Sequence, residues 1–266
     1  MPGGLPLRQR IQFTVTRWIT RLLKAVGVRE TVIRVRYALA RARRRAFERR
    51  GSARCSRPAL HGMDRRLDAI IDRDRGFFVE AGGHDGYTQS NTYYLERFRG
   101  WRGILVEPMH EMAAEARRNR PGARVFQCAL ASPEADGQEI EMEFGDLFTT
   151  VRGSRGEGDE WVQGGLVLGW RDHRVERVPA RALSSLLDEA GCDGVDLLSL
   201  DVEGYEDQAL RGLDLSRHAP AWILVEMHDL DVGRVKISAV LGERYVEHAL
   251  LSPLDVLYRR VEPNRS

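Results

Sequence analysis

Three things are scarce in this 266-residue chain: cysteine, lysine and long apolar runs. The three cysteines, Cys55, Cys128 and Cys192, are odd in number and widely spaced, which excludes a disulfide framework or a zinc site and fits a reducing cytosol. No apolar run reaches the roughly 18 residues that a membrane-spanning helix needs. The N-terminus has no uninterrupted apolar core followed by a small-residue cleavage site, so it reads poorly as a secretory signal. Lysine occurs only at Lys24 and Lys236, so arginine carries almost all the positive charge.

That charge is unevenly placed. Residues 1–60 hold 16 Lys and Arg against two acids, Glu30 and Glu48, whereas the whole chain has a net charge of only +2. A basic arm is therefore joined to an acidic domain over 61–266. Within the arm, Ile11, Val15, Trp18, Ile19, Leu22, Leu23 and Val26 form one helical stripe, with Arg10, Arg17, Arg21 and Lys24 off it. A second basic helix is expected from Glu30 to Arg50. Three readings of residues 8–50 stand: peripheral contact with the inner face of a membrane, packing on the domain itself or on a second copy, and, least favoured, nucleic-acid binding.

From residue 61 helices and strands alternate. Helices are expected at His61–Asp74, Thr88–Arg99, Glu111–Arg120, Glu206–Leu213 and Arg234–Leu241. Short apolar strands are expected at Phe77–Val79, Gly103–Val106, Val125–Leu130, Val195–Leu200 and Ala221–Val225, with a final pair at Tyr245–Leu250 and Val256–Arg259. This is an α/β pattern: a mainly parallel, seven-stranded, Rossmann-like sheet covered by helices on both faces. Residues 131–178 interrupt it. They include an extra strand at Gln138–Phe144, and residues 145–170 bring seven glycines with Trp161 and Trp170, the composition of an active-site lid.

Four strands end in an acid: Glu80, Glu107, Asp201 and Glu226. Open α/β sheets bind ligands at the carboxyl ends of their strands. After Glu80 the turn runs Ala81-Gly82-Gly83-His84-Asp85-Gly86, where glycines permit close backbone approach. Glu107, 27 residues beyond Glu80, is placed to accept hydrogen bonds from both ribose hydroxyls of a nucleoside. A dinucleotide would bring its pyrophosphate against the carboxylates of Glu80 and Asp85. A cofactor with cationic ammonium and sulfonium groups suits them better, so S-adenosylmethionine is favoured over NAD.

Three stretches resemble the FkbM family of methyltransferases. They are Val79 to Gly86 continuing through Ser90-Asn91-Thr92, Gly100 to Pro108, and Val195 to Glu206 with Leu210-Arg211-Gly212; Ile223 to His228 adds a fourth. The resemblance covers about residues 76–260 and leaves the arm outside. It implies a class I methyltransferase fold, methylation of hydroxyls on sugars, glycolipids or polyketides, and a cofactor site lined by Glu80, Gly82, Gly86 and Glu107, to which the intervening Gly83, His84 and Asp85 are added. Two departures stand out: Gly83-His84 where many relatives have Ala-Asn, and Leu183-Ser184 where many have Leu-Asp.

A hydroxyl is a poor acid, so its methylation needs a general base or a metal-bound alkoxide. Glu203 and His228 each follow a strand-end acid by two residues, on the same side if the extended pattern continues. One route holds Mg²⁺ on Asp201 and Glu226 with His228 as base. The other is metal-free, with His228 or Glu203 as base. Glu206 is expected to cap the helix near Gly204. Rival functions are an NAD-dependent oxidoreductase, an RNA 2′-O-methyltransferase (disfavoured because neither lysine sits at a strand end) and a non-catalytic membrane-associated scaffold. The acceptor expected is a small or lipid-linked glycan, met in the cytoplasm or at the membrane's inner face.

Overall fold

The computed structural model describes residues 29–144, 149–153, 174–192 and 194–261. The apolar stripe over 11–26 and most of the glycine-rich stretch with Trp161 and Trp170 lie outside the described residues.

One residue pattern builds the central sheet. Ile104-Leu105-Val106 and Ile223-Leu224-Val225 are continuous apolar runs, which suit strands buried on both faces. The strands are β1 (Phe77–Ala81), β2 (Arg102–Val106), β3 (Ala123–Phe126), β4 (Ala129–Leu130), β5 (Glu139–Phe144), β6 (Thr150–Val151), β7 (Arg174–Arg181), β8 (Leu197–Leu200), β9 (Trp222–Glu226), β10 (Tyr245–Leu250) and β11 (Asp255–Arg260). Seven of them form one sheet in the order β10-β11-β9-β8-β1-β2-β3. β1, β2, β3, β8 and β9 are parallel, and β11 runs antiparallel to β9 and β10. The chain lays strands to one side of β1, then returns to its other side with β8. That reversal puts the ligand crevice between the carboxyl ends of β1 and β8.

The helices are α1 (Arg29–Glu48), α2 (Met63–Ile71), α3 (Tyr93–Phe98), α4 (His110–Asn119), α5 (Leu183–Ala190), α6 (Glu206–Arg211) and α7 (Leu230–Leu241). Alternate strand residues feed opposite layers. Phe78, Leu105, Leu197, Leu224 and Leu257 pack with Met63 and Leu67 of α2 and Leu95 of α3. Val79, Ile104, Leu198, Ile223 and Val256 pack with Leu186 and Leu187 of α5 and Leu210 of α6.

Four expectations need correction. The strand foreseen over Val125–Leu130 breaks after Phe126, and Ala129–Leu130 join a second sheet, β4-β7-β5-β6. The region foreseen as an insert holds most of this sheet: its foreseen extra strand is β5, and β7, in which exposed Arg177 and Pro179 alternate with buried Val178 and Ala180, pairs with β4 and β5. The helix foreseen from Thr88 starts only at Tyr93, because Ser90, Asn91 and Thr92 turn inward to bond Glu80. Helix α7 starts at Leu230 rather than Arg234, since the Asp229 carboxylate accepts from the amides of Asp231 and Val232.

Of the arm, α1 lies on the domain. Arg41 pairs with Glu115, and Arg44 donates to Asn119 Oδ1 at 2.8 Å. Among the described residues no helix is long and apolar enough to cross a membrane.

Candidate active site

The strand-end acids stand in a row. Glu80 lies on β1, Glu107 follows β2, Asp201 follows β8 and Glu226 ends β9. A fifth acid extends the row. Because β11 is antiparallel, its first residue, Asp255, falls at the same edge as Glu226, its register partner. Neighbouring strands are about 4.8 Å apart, so carboxylates recur across five adjacent strands. A cavity of about 320 Å³ runs along this edge. It is lined by Glu80, Glu107, Asp201, Glu203, Glu226 and Asp255 and by three histidines, and no arginine or lysine among the described residues lines it.

At the β1–β8 crevice the backbones nearly touch. A Cβ on Gly82, which has φ +80°, would stand 1.9 Å from the Asp201 carbonyl oxygen. Gly83 and Gly86 do not line the cavity; added Cβ atoms there would press on Leu105 and on Arg120 and Ala116. Asp85 also sits behind the cavity wall. Its carboxylate accepts from the amides of Tyr87 and Thr88 at 2.9 and 2.6 Å and pins the turn. Burial opposes its ionisation, but His84 and these two amides outweigh that and hold Asp85 down at about 2.

Glu80 braces the loop that follows it. Its carboxylate accepts from Ser90 Oγ, Asn91 N and Thr92 Oγ1 at 2.7–2.8 Å and from Arg120 Nη1 at 3.1 Å. Arg120 is fully buried and also donates to Glu96 at 2.6 Å. Sequence reasoning missed it, reading only the last basic residue of a helix before Pro121.

Glu107 is buried, and each of its oxygens accepts one backbone amide, His84 N and Met109 N, both at 2.8 Å. Burial pushes its carboxyl up. A carboxylate has about four acceptor sites, so both oxygens keep acceptor capacity toward the cavity. Val106, Pro108, Cys128, Ala129 and Leu130 form an apolar wall beside it.

At the centre, the Asp201 carboxyl lies beside Glu226 and Glu203, with its Oδ1 buried. Burial first, then the charges of Glu226 and Glu203, raises the Asp201 carboxyl well above its ordinary value. The two residues foreseen as bases do meet: His228 Nε2 lies 3.0 Å from Glu203 Oε2. Glu203 adopts a left-handed backbone, φ +57°, and its carbonyl accepts from Thr150 Oγ1 of the second sheet at 2.8 Å. Glu206 turns back to accept from Gly204 N at 2.9 Å, so it braces the loop before the helix instead of capping the helix as expected.

The expected Mg²⁺ does not fit this donor set. Among the described residues no group of three His, Cys, Asp or Glu side chains is arranged to hold a metal ion. A hard divalent ion requires a fuller shell of oxygens.

A methyltransferase from Methylobacillus flagellatus KT described as FkbM aligns over 70% of this chain and 44% of its own, at 16% identity and a TM-score of 0.45. The chain thus spans less than half of that protein's length. A TehB-like SAM-dependent methyltransferase from Corynebacterium glutamicum ATCC 13032 Kitasato aligns over 85% of this chain and 97% of its own, at 13% identity and a TM-score of 0.41. No curated protein matches the sequence. The model of the methyltransferase FkbM domain matches residues 80–251, which take in the whole carboxylate row except Asp255, and the chain belongs to that family.

Proposed function

We propose that this chain is an S-adenosylmethionine-dependent O-methyltransferase acting on a hydroxyl of a neutral acceptor, a sugar, a glycolipid or a related natural product. The observation that carries the reading is the cavity itself: six carboxylates, no lysine or arginine among the described lining residues, and a Glu203–His228 pair at 3.0 Å.

When bound, S-adenosylmethionine supplies an electrophilic methyl group on a cationic sulfonium. The chain's donor set suits that cofactor. Glu107 retains acceptor capacity for ribose hydroxyls, its apolar wall suits an adenine ring, and the carboxylates of the row complement ammonium and sulfonium charge. Gly82 lets the backbone close in beside Asp201. The same carboxylates disfavour a pyrophosphate, and with it the dehydrogenase reading.

His228 is the base in this reading. His228, on the cavity wall, takes the acceptor's hydroxyl proton, and Glu203, 3.0 Å from its Nε2, stabilises the imidazolium. The row also selects the acceptor. An anionic group, such as a nucleic-acid phosphate, would enter a field of like charge with no lining cation to meet it, whereas neutral hydroxyls find many acceptors. A lipid-linked glycan fits if its phosphate stays outside the cavity. In that case residues 8–28 provide the peripheral membrane contact, since α1 is already docked on the domain.

The test is methyl transfer from labelled S-adenosylmethionine to a panel of neutral sugars and glycolipids, uronic acids and RNA. His228→Gln should lower turnover on the preferred neutral acceptor about 10²–10⁴-fold while leaving cofactor affinity intact. Preference for RNA or a uronic acid, or full turnover in His228→Gln, contradicts the proposal.

A further inference from the structure

The loop between β1 and α3 is strained. Two of its non-glycine residues, His84 and Gln89, hold left-handed backbone, with φ of +44° and +59°. Such conformations persist only where the surroundings over-determine them. From inside the domain, Glu80, Glu107 and Arg120 supply that restraint. A further clamp comes from the arm, which lies outside the stretch that matches the family.

Its centre is Arg44, on α1 and only 4% exposed. The guanidinium lies over the Tyr87 ring at 3.7 Å and over Tyr93 at 4.8 Å. Its Nη2 donates to Asn119 Oδ1 at 2.8 Å, and Asn119 Nδ2 donates to the carbonyl of Asp85, within the strained turn, at 2.7 Å. One turn on, Glu48 accepts from Tyr93 OH at 2.8 Å, and beyond the helix the Cys55 carbonyl accepts from Tyr87 OH at 2.7 Å. The arm therefore grips the loop's outer face at Asp85, Tyr87 and Tyr93, while its inner face, through Gly82 and His84, forms cavity wall.

We infer that Arg44 is a positioning residue: through Asn119 and Tyr87 it holds the cofactor loop in its binding conformation, which makes the basic arm part of the cofactor site. The inference rests on the proposed use of S-adenosylmethionine. A loop left to relax populates its binding conformation less often, and apparent affinity falls by the same fraction. The predicted signature is weaker cofactor binding with the chemistry at saturation unchanged.

The experiment compares wild type, Arg44→Ala, Arg44→Lys and the control Arg43→Ala, whose guanidinium lies over its own helix's Phe47. Two readouts are taken on the full chain: amide exchange of residues 82–92 without cofactor, and the S-adenosylmethionine Kd by calorimetry. Arg44→Ala should speed loop exchange and raise Kd about tenfold, the factor for one charge-assisted contact. Arg44→Lys, which keeps charge but loses planar stacking, should fall between, and Arg43→Ala should match wild type. Unchanged loop exchange in Arg44→Ala overturns the inference. So does faster exchange with an unchanged Kd, since Arg44 would then be structural only. If Arg44→Ala does not fold, Arg44→Lys decides by the same criteria. If wild type itself fails to bind S-adenosylmethionine, the proposed function fails, and this role of Arg44 falls with it.

Discussion

The buried Arg120 offers the sharpest energetic prediction. Its side chain is fully buried between Glu80 and Glu96, themselves 4% and 9% exposed, and it also donates to Ser90, Thr92 and the carbonyl of Gly86. Replacing it with methionine keeps volume but strands two carboxylates in the interior. Removing one partner of a buried ion pair typically costs about 3–5 kcal/mol. At about 2–4 °C per kcal/mol for a domain of this size, Arg120→Met should lower Tm by about 6–20 °C. Urea denaturation followed by circular dichroism measures the cost directly. Arg118→Met is the control, because the Arg118–Glu115 pair is 62% and 32% exposed at its side chains and such pairs are worth at most about 1 kcal/mol. A double-mutant cycle of Arg120→Met with Glu96→Gln should return a coupling above about 1 kcal/mol. If Arg120→Met costs no more than Arg118→Met, Arg120 is not the brace described.

Two further predictions concern the crevice. Gly82→Ala puts a Cβ 1.9 Å from the Asp201 carbonyl, whereas Gly137→Ala, at a similar φ of +81°, meets nothing within 4 Å. Gly137→Ala should therefore lose only the left-handed backbone penalty of about 1–2 kcal/mol, and Gly82→Ala clearly more; equal Tm losses contradict the close approach. For Asp201, whose carboxyl is raised in the folded state, the folded protein holds the proton more tightly than the unfolded chain. Its contribution to stability is full below the ordinary value of 3.8 and is lost as pH rises through the raised value. Asp201→Asn should remove that part of the pH dependence and be the more stable protein at neutral pH, as checked by denaturation from pH 4 to pH 8. Parallel pH profiles for the two proteins would refute this.

The central sheet was legible because strands buried on both faces leave continuous apolar runs, such as Ile104-Leu105-Val106. The Glu203–His228 pair was legible too, since both residues follow a strand-end acid by two positions. Four features were not. Strand β7, Arg174–Arg181, lies on a separate sheet, and its charged Arg174, Glu176, Arg177 and Arg181 break up any long apolar run. Asp255 opens its strand rather than ending one, so only the antiparallel direction of β11 brings it to the carboxylate row. Arg120 meets Glu80 and Glu96 across 40 and 24 residues, and along the chain it looks like any other arginine at a helix end. The contacts of Arg44 are hidden for the same reason: a basic arm reads as solvated or lipid-facing until its partner surface is known.

The most direct test of the account is a calorimetric titration of S-adenosylmethionine and, separately, NADH into the full chain, with Glu107→Ala as the site control. The account predicts saturable binding of S-adenosylmethionine, weakened at least about 100-fold in Glu107→Ala, as expected when two charge-assisted ribose hydrogen bonds are lost, and no binding of NADH. Binding of NADH alone, or S-adenosylmethionine binding indifferent to Glu107, would contradict it.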